Sequence, residues 1–94
     1  MENNYGKSPF PNLKNIVIPD TILSICSNIF SYCSNLTEIE LNDNIIELKD
    51  RIFYKCNNLT KIKLPKNLES IGTECFKGCI RLERIDFPLG LKYL

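Results

Sequence analysis

Residues 59–79 read LTKIKLPKNLESIGTECFKGC, and the spacing of apolar residues in this stretch returns on both sides of it. Leucine stands at Leu13, Leu36, Leu59 and Leu82, a constant step of 23 residues. Isoleucine keeps the step at Ile16, Ile39, Ile62 and Ile85, and an apolar residue follows at Ile18, Leu41, Leu64 and Phe87. Further columns run through Ile22, Ile45, Leu68 and Leu91, and through Ile25, Leu48, Ile71 and Leu94. Phenylalanine recurs at Phe30, Phe53 and Phe76, and cysteine at Cys33, Cys56 and Cys79. No insertion or deletion breaks the register, so the chain is a repeat array. Three full units, 13–35, 36–58 and 59–81, precede a partial fourth, 82–94. Residues 1–12 form a lead-in that reads in part as the tail of a degenerate unit. Ser8, Phe10 and Asn12 fall there in the columns of Ser31, Cys33 and Asn35.

Each unit has a physical reading. Leu36-Thr-Glu-Ile39-Glu-Leu41 alternates apolar and polar residues at its end, which suits a short strand with one buried face. Pro19, Pro65 and Pro88, with Asn42 in the same column, close the strand, because proline has no N–H for a ladder. Asn44 and Asn67 follow where a turn is expected. Ile29-Phe30-x-x-Cys33 and Ile52-Phe53-x-x-Cys56 carry helical spacing, which predicts one or two inward-facing turns of helix. A single unit cannot bury its apolar side, but stacked units can, and about three are needed. Stacking makes the strands a parallel sheet and the columns interior ladders.

Composition removes several function classes. Twelve Lys and Arg oppose eleven Asp and Glu, a net charge of +1, which supplies no field for a polyanion. Lys61, Lys63 and Lys66 cluster, but Glu38, Glu40, Glu83 and Asp86 flank them, so nucleic acid is not expected as a partner. No apolar run approaches the ~20 residues that span a bilayer, so no membrane insertion is expected. The first residues, MENNYGKSPFPN, lack the apolar core of a signal peptide. The cytoplasm is therefore the default expectation, with the cell surface open if the chain is part of a longer protein. Histidine is absent, and there is no Gly-rich phosphate loop and no nucleophile elbow. No enzyme, catalytic residue, metal or cofactor is expected.

The segments Leu36, Ile39, Leu41, Asn44 and Leu59, Ile62, Leu64, Asn67 match the pattern L-x-x-L-x-L-x-x-N. With the rest of residues 59–79 they closely resemble the BspA-like subfamily of leucine-rich repeats, over residues 8–94. The resemblance implies an α/β fold: a right-handed leucine-rich-repeat solenoid with a parallel concave sheet and short helical turns on the other side. It also implies kinship with surface-antigen and adhesin-like, host-protein-binding modules. The subfamily's glycine column holds Cys26, Lys49 and Gly72, so a left-handed backbone is not expected there. Its alanine column holds the bulkier Ile29, Ile52 and Cys75.

Two groups of residues invite a functional reading. Cys33, Cys56, Cys79 and Cys75 sit among the inward columns and read as buried free thiols; Cys26 lies off the ladder. Thr37, Glu38, Glu40, Thr60, Lys61, Lys63, Arg84 and Asp86 alternate with core residues and should face outward on the concave sheet. For them, recognition of another protein competes with plain cross-strand pairing of Glu38 with Lys61 and of Glu40 with Lys63 and Asp86. The expectation is a protein-binding module that can also self-associate through uncapped ends. The alternative is a structural segment or truncated fragment of a longer array.

Overall fold

The computed structural model describes residues 8–92; the first seven residues of the lead-in, and Leu94 of the last apolar column, lie outside them. Three strands, β1 (Asn15–Val17), β2 (Glu38–Glu40) and β4 (Lys61–Lys63), form a sheet in the order β1-β2-β4. Two shorter strands, β3 (Glu47–Leu48) and β5 (Ser70–Ile71), pair separately. Every pairing is parallel, and every partner lies one repeat away: Asn15 with Glu38 with Lys61, Ile16 with Ile39 with Ile62, Leu48 with Ile71. Repeat length in the sequence is therefore strand register in space. A slip of one residue would turn the isoleucines out and the charges in, which burial of one face forbids.

The segments expected as short helices are not helical among the described residues. Their amides are used elsewhere. Asn28, Phe30 and Tyr32 donate to the carbonyls of Asp50, Ile52 and Tyr54, and Arg51, Phe53 and Lys55 donate to those of Thr73, Cys75 and Lys77. Alternate N–H groups thus bond to the next repeat, which leaves too few for an i→i−4 series. Tight i→i+3 bonds fill the gaps, as from Ser31 to Asn28, Tyr54 to Arg51 and Lys77 to Glu74. Left-handed residues at Asn28, Tyr32, Arg51, Lys55, Glu74 and Gly78 also prevent a continuous right-handed helix. Spacing alone cannot distinguish this laterally bonded turn from a helix, because both put Phe and Cys inward.

The core is made of the repeated columns, except at their ends, where Ile22 and Phe87 are exposed at 41% and 43%. Leu36, Ile39, Leu41, Ile45, Leu48, Ile52, Phe53, Cys56, Leu59 and Leu68 are all at most 3% exposed. Most of them lie between residues 36 and 58, in the middle of the stack, with repeated columns on both sides. Of the other residues expected inside, Ile62, Leu64 and Phe76 are half-buried and pack on the edge of this core. Phe53 stacks on Phe30 at 5.9 Å and on Phe76 at 5.5 Å, both nearly parallel. Residues 82–88 keep the sequence pattern but form no strand, while Lys92 N–H reaches Glu69 O at 2.8 Å.

Side chains tie each repeat to the one before. Asn35 and Asn58 donate to the carbonyls of Pro11 and Ser34, and Asn44 and Asn67 to those of Asp20 and Asp43. Cys56 donates its thiol proton to Phe30 O at 2.9 Å, and Cys79 donates to Phe53 O at 3.1 Å. Cys56 and Cys79 thus act as small donors as well as hydrophobes.

Candidate partner-binding face

Alternation on the three-stranded sheet divides its side chains by face. Ile16, Ile39 and Ile62 point to the core, and Asn15, Val17, Glu38, Glu40, Lys61 and Lys63 are exposed. Together these nine residues line a shallow depression of ≈ 290 Å³. Its floor is sheet backbone whose N–H and C=O groups are largely spent on lateral bonds, so any recognition on this face falls to side chains. The charges are sorted by strand. β2 carries Glu38 and Glu40, β4 carries Lys61 and Lys63, and β1 carries Asn15 and a Val17 that is 64% exposed.

In-chain pairing satisfies little of this charge. Lys61 and Glu38 approach to only 3.9 Å, with side chains 78% and 58% exposed. Such a pair contributes at most a few tenths of a kcal/mol. Glu40 and Lys63 form no ion pair among the described residues, and Asp86 meets Arg84 at 3.1 Å instead of Lys63. Arg84 and Asp86 are exposed on the unpaired segment 82–88, outside the sheet. Thr37 and Thr60 are occupied differently. Their hydroxyls donate to Lys14 O and Thr37 O, one repeat back, so they brace the stack.

Other groups of chemical interest lie elsewhere. All five cysteines are free; Cys26 is exposed and the rest are buried or half-buried. Burial pushes the thiols of Cys75 and Cys79 up to about 11, and the Cys33 thiol together with burial pushes Cys56 up as well. On the turn side, Tyr32 and Tyr54 meet edge to face at 5.5 Å, with the Lys55 ammonium 5.5 Å from the Tyr54 ring. Glu74 pairs there with Arg51 at 2.8 Å and with Lys77 at 3.1 Å. Lys77 and then Arg51 hold the Glu74 carboxyl below its usual range. Periodicity did not single out this cluster, because its columns mix residue types.

No helix of the described residues is long and apolar enough to cross a membrane. A family model described as a BspA type leucine rich repeat region matches residues 6–94, in six copies. No curated protein matches the chain at a significant level. Among solved structures, the chain is similar to a leucine rich repeat protein of T. pallidum, at 27% identity and a TM-score of 0.79. The likeness covers 82% of this chain but 38% of that one, so this chain spans well under half of its structural relative. The match over residues 6–94, the parallel strands and the one-repeat register agree: the chain belongs to the BspA-type leucine-rich repeat family.

Proposed function

We propose that the chain is a non-catalytic protein-binding module whose partner seats on the exposed face of the β1-β2-β4 sheet. One observation carries the reading: Glu38, Glu40, Lys61 and Lys63 stand in register around a depression and are poorly compensated within the chain. Charges left free on a rigid sheet supply specificity and steering to a protein partner. Arg84 and Asp86 contribute from the rim, and Thr37 and Thr60 through their methyl groups. The family match supports an adhesin-like or surface-antigen-like setting.

The finer architecture goes with this reading. The chain winds as a right-handed solenoid, the hand taken by crossovers between parallel strands of one sheet. Its units are 13–35, 36–58, 59–81 and the partial 82–94. The lead-in 1–12 is partly the tail of an earlier unit, supported by the Asn35 bond to Pro11 that repeats as Asn58 to Ser34. Ile80 and Leu89, 81% and 106% exposed, favour association beyond the third unit as a secondary contact.

The test is capture from the source organism or its host, with the chain and a Lys61→Glu, Lys63→Glu, Arg84→Glu variant as baits. The reading expects a protein retained by the first and lost by the second. Equal retention places binding elsewhere. No capture by this chain or by an extended array favours the alternative, a structural segment of a longer array.

A further inference from the structure

The charges on the sheet face are arranged with a symmetry of their own. Glu38 is in register with Lys61, and Glu40 with Lys63, on neighbouring strands. The acidic row and the basic row therefore match position by position across the line midway between β2 and β4. Two copies of such a face can meet about a two-fold axis in two principal ways. An axis perpendicular to the strands lays β2 over β2, so that glutamates face glutamates and lysines face lysines. An axis parallel to the strands, running between β2 and β4, lays β2 over β4 and keeps the position along the strand. Glu38 then faces Lys61 of the second copy, Glu40 faces Lys63, and both contacts recur by symmetry. Like charges brought together are repelled and opposite charges attracted, so electrostatics selects the second arrangement.

Resting on the reading of this face as the binding surface, we infer that the face is self-complementary and that its occupant is a second copy of this chain, docked about the strand-parallel two-fold axis. The in-chain contacts leave the charges free to do so: one pair is loose at 3.9 Å, and Glu40 and Lys63 form no ion pair among the described residues. Faces of packed sheets lie about 10 Å apart, a gap that the long glutamate and lysine side chains must bridge from both copies. Three short strands present far less than the ~800 Å² per partner of a standard interface. The association is accordingly weak, driven by charge, and removed by salt.

The experiment is sedimentation equilibrium of the full chain at low salt and at about 1 M salt, where the screening length falls to about 3 Å. The variants are Glu38→Lys with Glu40→Lys, Lys61→Glu with Lys63→Glu, and all four together. All substitutions are at exposed positions, and thermal melts verify that each variant folds. The inference expects self-association of the unaltered chain at low salt, weakened by roughly tenfold or more at high salt. Each double variant, with a face of one sign, should be monomeric alone, and the two should associate when mixed. The fourfold variant, self-complementary again, should associate like the original. A monomeric original chain at low salt overturns the inference. So does association that survives in both double variants, which would point to the apolar surface around Ile80 and Leu89. Capture of a different protein by a chain that does not self-associate would sink this inference and leave the binding-module reading standing.

Discussion

Single residues carry costs that the repeat tolerates. Tyr32, Lys55 and Gly78 share a column, and all three have positive φ, at 59°, 56° and 84°. Only glycine adopts this backbone freely; a residue with a Cβ loses roughly 1 kcal/mol or more there. Lys55→Gly should therefore be more stable than Lys55→Ala by about 1 kcal/mol, seen as a melting temperature several degrees higher. An unchanged or lower melting temperature would mean that the turn relaxes when its side chain is removed. Gly72 answers to a different constraint. It has no positive φ, but a Cβ there would lie 2.5 Å from Asp50 Oδ1 and 2.7 Å from the Lys49 backbone. The sequence comparison of Cys26, Lys49 and Gly72 correctly withheld a left-handed backbone from this column. It could not see that Asp50 fills the space and accepts the Thr73 N–H at 2.8 Å.

At the scale of elements, the periodic part was legible and the bonding between coils was not. Alternating Ile and charge at Ile39 and Ile62 predicted strands, parallel pairing and register, because period two and a fixed repeat leave one way to stack. The turn stretches were misread as helix because inward Phe53 and Cys56 satisfy both spacings, while the destination of each amide is absent from the sequence. Asn42 is a further case. In its column it reads as a stand-in for Pro19 and Pro65, yet it is 6% exposed and its side chain makes three bonds. Its amide donates to Pro19 O at 2.7 Å and Ile22 O at 2.8 Å, and its Oδ1 accepts from Asn44 N–H at 2.8 Å. Asn42→Pro should cost about 1–3 kcal/mol although it restores the column, because buried groups lose their partners; chemical denaturation measures it. The thiol column makes a prediction on pH. Cys75 and Cys79 have thiols raised from 9.0 to about 11 in the fold, so the folded state holds protons that the unfolded chain releases. Their contribution is complete below pH 9 and is lost as pH rises through about 11. Melting temperatures should fall over that window, and fall less in a Cys75→Ala, Cys79→Ala variant; equal slopes would mean that these two thiols do not carry the loss.

For the whole molecule, the residues that hold the stack and the free charges of the sheet separate onto different columns. The inward columns and the asparagine, threonine and cysteine donors hold one repeat to the next, and the charges of β2 and β4 do little for the stack. Of the candidate residues read from the sequence, Glu38, Glu40, Lys61 and Lys63 gather on one exposed face. Thr37 and Thr60 brace the stack, and Arg84 and Asp86 lie off the sheet. That division was beyond the sequence, because hydroxyl partners one repeat away and the failure of 82–88 to pair are properties of the assembled coil. On the proposed reading, recognition resides on the sheet face and not on the turn side. The most direct measurement is the affinity of a captured partner for two folded variants of equal charge change: Lys61→Glu with Lys63→Glu, and Lys55→Glu with Lys77→Glu. The first pair should weaken binding by roughly tenfold or more, while the second leaves it within about twofold. Loss of binding in the second pair with retention in the first would contradict it.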